Sequence, residues 1–268
     1  LESRLGGRLF NRTSRQLALT DLGRGVAERA ARVVWEAEEA ERAARELSSR
    51  PRGSVRLAVP MSFGLRWVAP LLPDFFRLYP EITIDLHLSD AHVDLVGEGF
   101  DAALRIAVLE DSSLVARRLC RMGRQVVASP GYLGRYGRPQ HPGELAAHHC
   151  LGYAYRARGD VWRFTGPAGE TVGVTPSGPL RVTNVDALLP TLLEGMGIAE
   201  LPDFIAADHL AAGRLEAILP GWTIAPGGLY FVTPTARNRP AKVEALGEFL
   251  AARLSRLRWA ADESAADA

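Results

Sequence analysis

Apolar and polar residues alternate along two short stretches of the chain, as they do in half-buried β-strands. These stretches are "VRLAV" (55–59) and "ITIDLHL" (82–88), and the segment between them, "LRWVAPLLPDFFRLY" (65–79), has the apolar spacing of a helix. A strand, a helix and a second strand in this order require a crossover connection, which makes the two strands parallel. The pattern therefore predicts an α/β unit that begins near residue 55.

The same alternation of strands and helices continues towards the C-terminus. It predicts strands at "DAALRI" (101–106), "RQVVAS" (124–129), "LRVT" (180–183), "GIAEL" (197–201) and "LYFV" (229–232), and an antiparallel hairpin formed by "DVWRF" and "TVGVT". Helices are predicted near 91–98, 185–196, 203–211 and 240–257. Pro190 falls inside one of them, so that helix is either kinked or starts later. The whole predicts an α/β fold with mainly parallel sheets, in which the irregular stretches 107–123 and 233–239 cross between two lobes.

Residues 21–48 predict a long helix with a narrow apolar stripe. The segment contains no proline, and apolar residues recur at spacings of three and four: Leu22, Val26, Ala30, Val33, Ala37, Ala40, Ala44 and Leu47. Thr20 is placed to cap its N-terminus. A stripe this narrow on a helix roughly 40 Å long cannot be covered by its own chain alone. We expect pairing with a second copy; the alternative is a helix that lies on its own domain. Pro51 and Gly53 in the segment that follows, "SSRPRGS" (48–54), predict a hinge.

Charge is distributed unevenly along this region. Residues 1–24 contain five arginines and two acidic residues, whereas residues 25–48 contain four arginines and six glutamates. The net charge of +1 for the whole chain argues neither for nor against a nucleic-acid partner, because the sum hides where the charge lies. No leader-like segment and no run of about 18 apolar residues is found, and 47% of residues are hydrophobic, so we expect a folded, cytoplasmic protein with no membrane partner.

Few residues offer catalytic or metal-binding chemistry. Cys120 and Cys150 are too few for a disulfide framework and are expected to be buried apolar side chains. The "HHC" cluster (148–150) is predicted to be a solvated loop, since three adjacent residues on a regular element cannot face one ion. Asp90 and Asp94 are predicted to be solvated residues at helix ends. GxSxG, phosphate-loop and GxGxxG motifs are absent from the sequence, so we expect neither an enzyme nor a cofactor or metal site.

Two polar residues follow predicted strands at equivalent places. Ser62 in "PMSFG" (60–64) opens a helix whose N-terminal N–H groups favour a carboxylate, and Asn184 in "TN" (183–184) can cap the helix that follows it. Ligands of open α/β sheets collect beside the carboxyl ends of strands. The placement predicts a small-molecule pocket between two lobes; the alternative is that both residues are ordinary helix caps.

The first 23 residues, "LESRLGGRLFNRTSRQLALTDLG", resemble the pattern LExxLGxxLFxRxxRxxxLTxxG of the bacterial LysR-type transcriptional regulators. The similarity continues through "GSVRLAVPMSFG", "VAPLLPDFFRLYPEITIDLHLSD", "DLVGEGFDAALRI", "LVARRL", "VVASPGYL" and "GMGIAELPDF". The resemblance implies a winged helix-turn-helix, a dimerising linker helix and an effector domain of two lobes shaped like periplasmic binding proteins. It also implies a homodimer, usually a tetramer, on promoter DNA. The alternative function is a solute-binding protein of a transport system, which has a similar bilobed fold.

The resemblance assigns a domain to each part of the chain. We expect a winged helix-turn-helix remnant at 1–20, the linker helix at 21–48, a hinge at 49–54 and the effector domain at 55–268. Its first lobe is expected at 55–123 and 234–258, and its second at 124–233. By position, Arg12, Thr13, Ser14 and Arg15 would lie in the wing near phosphates, which positions a protein without reading sequence. The family's first two helices and most of its recognition helix would precede Leu1, so we expect weak, unspecific DNA binding by this chain.

Effector contacts also follow from the resemblance, by position in the family pattern. They are Ser62 and Phe63 in the first lobe, Arg105 and Ile106 at the end of "DAALRI", and Thr183 and Asn184 in the second lobe. A guanidinium at Arg105 near two helix N-termini favours a small anionic effector that carries a carboxylate. The alternative is that Arg105 forms a salt bridge with a neighbouring acid.

Overall fold

The computed structural model describes residues 1–12, 17–107, 115–155, 161–234, 239–255 and 257, in two units, Leu1–Arg50 and Pro51–Ala268. The first unit contains the short helix α1 (Glu2–Leu5), an antiparallel hairpin of β1 (Phe10–Arg12) and β2 (Leu17–Leu19), and the long helix α2 (Asp21–Ser49). The predicted helix is confirmed, as is its cap: Thr20 Oγ1 accepts a hydrogen bond from the Gly23 N–H at 2.9 Å.

Apolar side chains of α2 lie in solvent along its first half. Leu22, Val33, Val34 and Trp35 are all exposed, Val33 to 67%. Val33 and Leu22 belong to the predicted stripe, whereas the side chains of Ala40, Ala44 and Leu47 lie outside the described residues. Among the described side chains of the stripe, Val26 is half-buried and Leu22, Ala30, Val33 and Ala37 are exposed, so most of the stripe is left uncovered.

The second unit contains thirteen of the strands and six of the α-helices in the described ranges. Its strands are β3 (Gly53–Val59), β4 (Ile82–Leu88), β5 (Ala102–Ala107), β6 (Val115–Met122), β7 (Arg124–Ala128), β8 (Cys150–Tyr153), β9 (Trp162–Thr165), β10 (Thr171–Val174), β11 (Arg181–Val182), β12 (Ile198–Pro202), β13 (Glu216–Ala217), β14 (Thr223–Ile224) and β15 (Gly227–Thr233). Its α-helices are α3 (Met61–Phe63), α4 (Leu72–Leu78), α5 (Pro130–Tyr136), α6 (Leu189–Leu193), α7 (Asp203–Ala211) and α8 (Ala241–Leu254).

Two five-stranded sheets form two lobes. The first sheet has the order β4-β3-β5-β15-β6 and the second β11-β8-β12-β7-β13. In each sheet four strands run in the same direction, and one strand, β15 in the first sheet and β7 in the second, runs antiparallel to both of its neighbours. The prediction of mainly parallel sheets therefore holds for strand direction, although half of the strand pairs are antiparallel. The two reversed strands are the one on which the chain enters lobe II, β7, and the one on which it returns to lobe I, β15. The predicted hairpin is confirmed as β9 and β10, which join β14 in a third sheet.

The chain crosses between the lobes at two places. Gly123 alone separates β6 in the first sheet from β7 in the second, and the return passes through residues 225–226, between β14 and β15. The predicted crossing at 107–123 includes Gly123, although residues 115–122 of that stretch form β6 in the first sheet. The predicted crossing at 233–239 and the lobe boundary at 233 are wrong, since β15 already lies inside the first sheet; residues 235–238 lie outside the described residues. We define lobe I as 51–122 and 227–257, and lobe II as 123–226. The sequence "VARRLCRM" of β6 obscured the strand, because its arginines interrupt the apolar pattern.

Three helix predictions need correction. The predicted helix at 91–98 is a turn, in which Asp94 Oδ1 accepts hydrogen bonds from the N–H groups of Val96 and Gly97, both at 3.1 Å. Such local side-chain bonds compete with helix formation. The predicted helix at 65–79 begins earlier, at Met61, and passes through a π turn and a 3₁₀ turn before α4. In place of the helix predicted at 185–196, the structure has a 3₁₀ turn, Val185–Leu188, followed by α6. The α-helix therefore starts later than predicted, which was one of the two alternatives for the helix that contains Pro190.

Apolar packing continues from lobe I into lobe II. One cluster of buried residues includes Leu57, Phe63 and Phe75 of lobe I and Leu188 and Phe204 of lobe II. Lobe II has a second cluster around Tyr132, Trp162 and Phe164. No described helix is both long enough and apolar enough to span a membrane.

Candidate functional site

The carboxyl ends of β3 and β4 bring two polar side chains to the same edge of lobe I. The two strands are parallel, with Val59 opposite Leu88, so the residues that follow them come together. Ser62 is buried, and the half-buried Asp90 accepts a hydrogen bond at Oδ1 from the Met61 N–H at 2.8 Å. Asp90 therefore caps the helix that begins at Met61, where the positive end of the helix stabilises a carboxylate.

Asn184 reaches this edge from lobe II. Its Nδ2 donates to Asp90 Oδ2 at 2.7 Å and to Ser62 Oγ at 2.9 Å. Its Oδ1 accepts from the Asp186 N–H at 3.1 Å, which caps the 3₁₀ turn Val185–Leu188. The Asn184 amide thus caps the 3₁₀ turn that follows it and also connects the two lobes by hydrogen bonds. The structure brings the predicted residues Ser62 and Asn184 into direct contact.

Two further contacts join the lobes. Arg66 Nη2 of lobe I lies 2.6 Å from Asp186 Oδ1 of lobe II, in a partly exposed ion pair. Phe63 packs edge-on against Phe204, with ring centroids 5.3 Å apart. The facing surfaces are therefore polar around Asn184 and apolar around Phe63.

Lobe II also contains a charge pair that is largely buried. Arg124 Nη1 is 3.1 Å from Glu200 Oε1, and the Glu200 side chain is only 2% exposed. Burial lowers the pKa of the Arg124 guanidinium, and the nearby Tyr153 and Asp203 oppose that change. Burial also raises the pKa of the Tyr153 hydroxyl far above its usual value; the Asp90 carboxylate adds to this rise and Arg124 reduces it. Tyr153 therefore stays a neutral hydroxyl group at physiological pH.

The remaining predicted effector residues have different surroundings. Arg105 is half-buried, and its Nη2 donates to the Val93 carbonyl at 2.7 Å. Burial lowers the pKa of Arg105. No acidic side chain pairs with it among the described residues, so the salt-bridge alternative finds no support there. Ile106 packs against the core of lobe I, and Thr183 is exposed next to Asn184.

Asp90 is the main residue of this site that sequence reasoning misjudged. The prediction that it is a solvated residue at a helix end is wrong, because it is half-buried and bonded to both Met61 and Asn184. Its position directly after "ITIDLHL" was the available signal. Arg66, Asp186 and Phe204 were also missed, since nothing in the local pattern shows which residues face one another across two lobes.

The other candidate residues lie apart from this site. Arg12 ends β1 with its side chain outside the described residues, and Thr13, Ser14 and Arg15 lie outside them altogether. Cys150 is buried at the start of β8 rather than in a loop, and burial raises the pKa of its thiol to about 11. His148 Nδ1 lies 3.2 Å from the Tyr132 hydroxyl. Within the described ranges, no group of three or more His, Cys, Asp or Glu residues could hold a metal ion.

The family model and the relatives that match this chain point to the same protein family. Residues 48–255 match the family model of the LysR substrate binding domain. An HTH-type transcriptional regulator of Xanthomonas campestris is 41% identical over 262 residues, which are 95% of this chain and 75% of that protein. The HTH-type transcriptional regulator PtxR of Pseudomonas aeruginosa is 34% identical over 257 residues, 96% of this chain and 82% of PtxR.

Solved structures agree with these relatives. The full-length Vibrio cholerae virulence activator AphB, a member of the LTTR family, superposes with a TM-score of 0.76 at 27% identity, covering 94% of this chain and 85% of AphB. CrgA, a LysR-type transcriptional regulator of Neisseria meningitidis, gives a TM-score of 0.66 at 31% identity, covering 94% and 86%. Both likenesses extend through the two-lobed unit.

Proposed function

The chain belongs to the LysR-type transcriptional regulators, a non-enzymatic family, and from this premise we propose that it senses a small molecule between lobes I and II. Members of the family bind promoter DNA and small-molecule effectors and form oligomers. Every relative compared above is a regulator, so the transport-protein alternative has no support. We also propose that the protein acts in the cytoplasm, where promoter DNA lies.

The observation that carries the proposal is the amide of Asn184, which connects Asp90 and Ser62 across the two lobes. All three groups are polar, at least half-buried, and lie beside the carboxyl ends of parallel strands. This is where open α/β sheets bind their ligands. A molecule that replaces any one of these hydrogen bonds changes how the lobes are held together.

The proposed effector is a small carboxylate that exchanges with Asp90. In this structure the protein's own carboxylate accepts the donors that an effector carboxylate would use, the Met61 N–H and Asn184 Nδ2. Arg105 adds a half-buried cation whose one hydrogen bond among the described residues goes to the neutral Val93 carbonyl. A bound acid would take over the donors while Asp90 moves towards solvent. Asp90 is then an internal competitor that limits affinity for anions.

Ligand-induced melting shifts across a panel of aliphatic and aromatic acids test the effector class. We expect at least one acid to stabilise the wild type, and Ser62→Ala and Arg105→Ala to reduce that shift. Asp90→Asn keeps a hydrogen-bond acceptor but removes the competing charge, so we expect it to bind the same acid about tenfold more tightly. If no acid stabilises the wild type or Asp90→Asn, the carboxylate assignment is wrong.

The proposed contacts with DNA use Arg12, Thr13, Ser14 and Arg15. The antiparallel hairpin of β1 and β2 supports this, because Arg12 ends its first strand and the other three residues lie in sequence between the two strands. Contacts from arginine to phosphate release counterions, so Arg12→Ala should lower affinity for all DNA sequences and reduce the slope of log affinity against log salt by about 1. Arg117→Ala, an exposed arginine of lobe I, is the control. An unchanged salt slope for Arg12→Ala would contradict the assignment.

Helix α2 is the proposed dimer contact, with a tetramer as the larger assembly. The exposed Val33, Val34 and Trp35 support this, because they leave apolar surface on a helix of 29 residues. Val33→Glu should shift the protein towards monomer in light scattering coupled to gel filtration. Glu36→Gln on the same helix is the control. A monomeric wild type at micromolar concentration would rule out α2 as a dimer contact.

A further inference from the structure

A cavity of about 460 Å³ opens on lobe II beside both crossings. Its walls come from the start of β7, the first residue of α7 and the segment 217–226, with Arg121 contributed by the end of β6. The volume lies within the range of about 300–1,000 Å³ that is usual for small-molecule sites. None of the residues that join Asn184, Asp90 and Ser62 across the lobes lines this cavity.

Aromatic and aliphatic side chains form one wall. Trp222 is half-buried, and Phe164, Ile218 and Leu219 are buried behind it. Leu219 has φ of 59°, in the left-handed region that a leucine rarely adopts, and its carbonyl accepts from the Trp222 N–H at 3.1 Å. The turn fixes the backbone at Trp222, whose ring packs edge-on against His141 with ring centroids 4.8 Å apart.

Charged side chains also line the cavity, and Arg121 differs from the other two in having no partner among the described residues. Arg124 is paired with Glu200, and Asp203 Oδ1 accepts from Gln125 Nε2 at 3.2 Å. Asp203 also packs so closely on the crossing that a Cβ on Gly123 would lie 2.0 Å from its Oδ2. In contrast, the Arg121 guanidinium has no hydrogen bond or ion pair within the described ranges.

We infer that this cavity is a second ligand site, which takes a planar aromatic carboxylate. The rings of such a molecule would lie against Trp222 and the apolar wall, and its carboxylate would bind the guanidinium of Arg121. An arginine and a tryptophan that line the same cavity suit this combination, because the guanidinium binds a carboxylate in a planar, bidentate manner. A neutral aromatic would leave Arg121 unpaired, and an aliphatic acid would leave the aromatic wall unused.

The site is connected to the contacts between the lobes through two residues that line it. Asp203 begins α7, and the next residue, Phe204, is the ring that packs on Phe63 of lobe I. Arg124, which lines the cavity, and Asp90, in the cleft, have opposite effects on the pKa of the Tyr153 hydroxyl, which burial raises. An acid bound at Arg121 would therefore change the field felt by groups that hold the lobes together.

Calorimetric titration of the full chain with 2-naphthoate tests the inference. We expect saturable binding by the wild type, and much weaker binding of both 2-naphthamide and cyclohexanecarboxylate. Arg121→Gln should lower the affinity for 2-naphthoate about tenfold or more, because a charged hydrogen bond is lost. Trp222→Leu should lower it about threefold or more, since an aromatic pair is lost.

Two controls separate this site from the cleft between the lobes. Arg117→Gln changes an exposed arginine on the same strand, β6, and should leave the affinity unchanged. Asn184→Ala changes the cleft between the lobes and should lower the affinity for 2-naphthoate less than Arg121→Gln does. The inference is overturned if 2-naphthoate does not bind, or if Asn184→Ala abolishes binding while Arg121→Gln does not affect it. It does not depend on the proposed cleft effector, so either site can fail without the other.

Discussion

Lobes I and II repeat one sheet pattern but hold their halves of the site in different ways. In lobe I the strands are six to eight residues long, and all seven residues of β3 pair with β4 ahead of Ser62 and Asp90. In lobe II the sheet strands are two to five residues long, and Asn184 follows the two-residue strand β11. The first half of the site is positioned by backbone ladders, the second by side-chain contacts.

This difference predicts which single substitutions disturb the site most. A ladder of backbone hydrogen bonds survives the loss of one side chain, whereas a cap or a buried ion pair does not. Changes in lobe II should therefore disturb the site more than matched changes in lobe I. The packing of Phe63 on Phe204 is the exception, because removal of either ring should lower the stability of the protein strongly.

The largest effect is expected for Phe63→Ala, which removes the ring that lobes I and II share. Phe63 is fully buried, so the loss of its packing and the cavity left behind should lower the free energy of unfolding by about 4 kcal/mol. Urea denaturation followed by circular dichroism measures this. Phe76→Ala, at a ring 38% exposed on α4, is the control and should cost about 1 kcal/mol. Equal losses for the two variants would show that the shared contact contributes nothing special.

Glu200→Ala tests the buried ion pair of lobe II against an exposed pair of lobe I. Removing Glu200 leaves Arg124 buried without its carboxylate, which should cost about 3 kcal/mol of unfolding free energy. Asp85→Ala removes the partner of Arg56, in a pair where Asp85 is 63% exposed, and should cost less than about 1 kcal/mol. The contrast between the lobes fails if both variants unfold at the same urea concentration.

Asn184→Ala should cost about 2 kcal/mol, because it removes both the cap of a 3₁₀ turn and the hydrogen bond to Asp90. Asn184→Asp keeps the cap but places a second carboxylate beside Asp90. We expect this variant to be less stable than wild type at neutral pH and to regain stability in acid, as one carboxylate becomes protonated. Melting temperatures at several pH values measure both variants; an Asp variant with the pH profile of the wild type would contradict the geometry.

Asp186→Asn should have a small effect, because the ion pair of Arg66 with Asp186 is partly exposed. We expect a loss of less than about 1 kcal/mol in dilute buffer, which disappears at high salt as the charges are screened. Melting temperatures with and without added sodium chloride measure it. A loss that persists in high salt would mean that Asp186 acts through the backbone of its turn instead.

The smallest effect concerns pH and His209 on α7. Burial is the largest cause that lowers the pKa of His209 below its ordinary value of 6.5, followed by the charges of Arg214 and Arg66, while Asp208 and Asp186 oppose them. The unfolded chain therefore binds a proton that the folded protein resists, so stability should rise as pH increases towards and through 6.5 and level off above it. His209→Gln should flatten this rise in a series of melting curves. If stability rose more steeply with pH in the variant than in the wild type, the lowered pKa of His209 would be contradicted.

Much of the fold follows from the sequence, because its parallel strands carry a clear apolar alternation. β3, β4 and the hairpin of β9 and β10 were predicted within a residue or two. β6 and β8 were not, since one is interrupted by arginines and the other has four residues after a histidine pair. The turn at 91–98 was mistaken for a helix because Asp94 satisfies the backbone with its side chain, which periodicity does not reveal.

Half of the candidate site could be predicted, and the other half could not. Ser62 and Asn184 follow strands of two sheets, so the rule for carboxyl ends of strands finds them. Asp90 obeys the same rule, but as an acid it was assigned to solvent. No sequence pattern predicts the cavity near Arg121, because its walls come from segments about a hundred residues apart in sequence.

The pairing of Met122 with Gly227 has a consequence for how this molecule could be divided. These two residues face each other at the end of the ladder between β6 and β15, and everything between them is lobe II. Lobe II is thus an insertion at the tip of a β-hairpin that belongs to lobe I. Replacing residues 123–226 by a two-residue turn would close that hairpin and keep every strand of the first sheet, but it would expose Phe63 and the other apolar side chains that pack on lobe II.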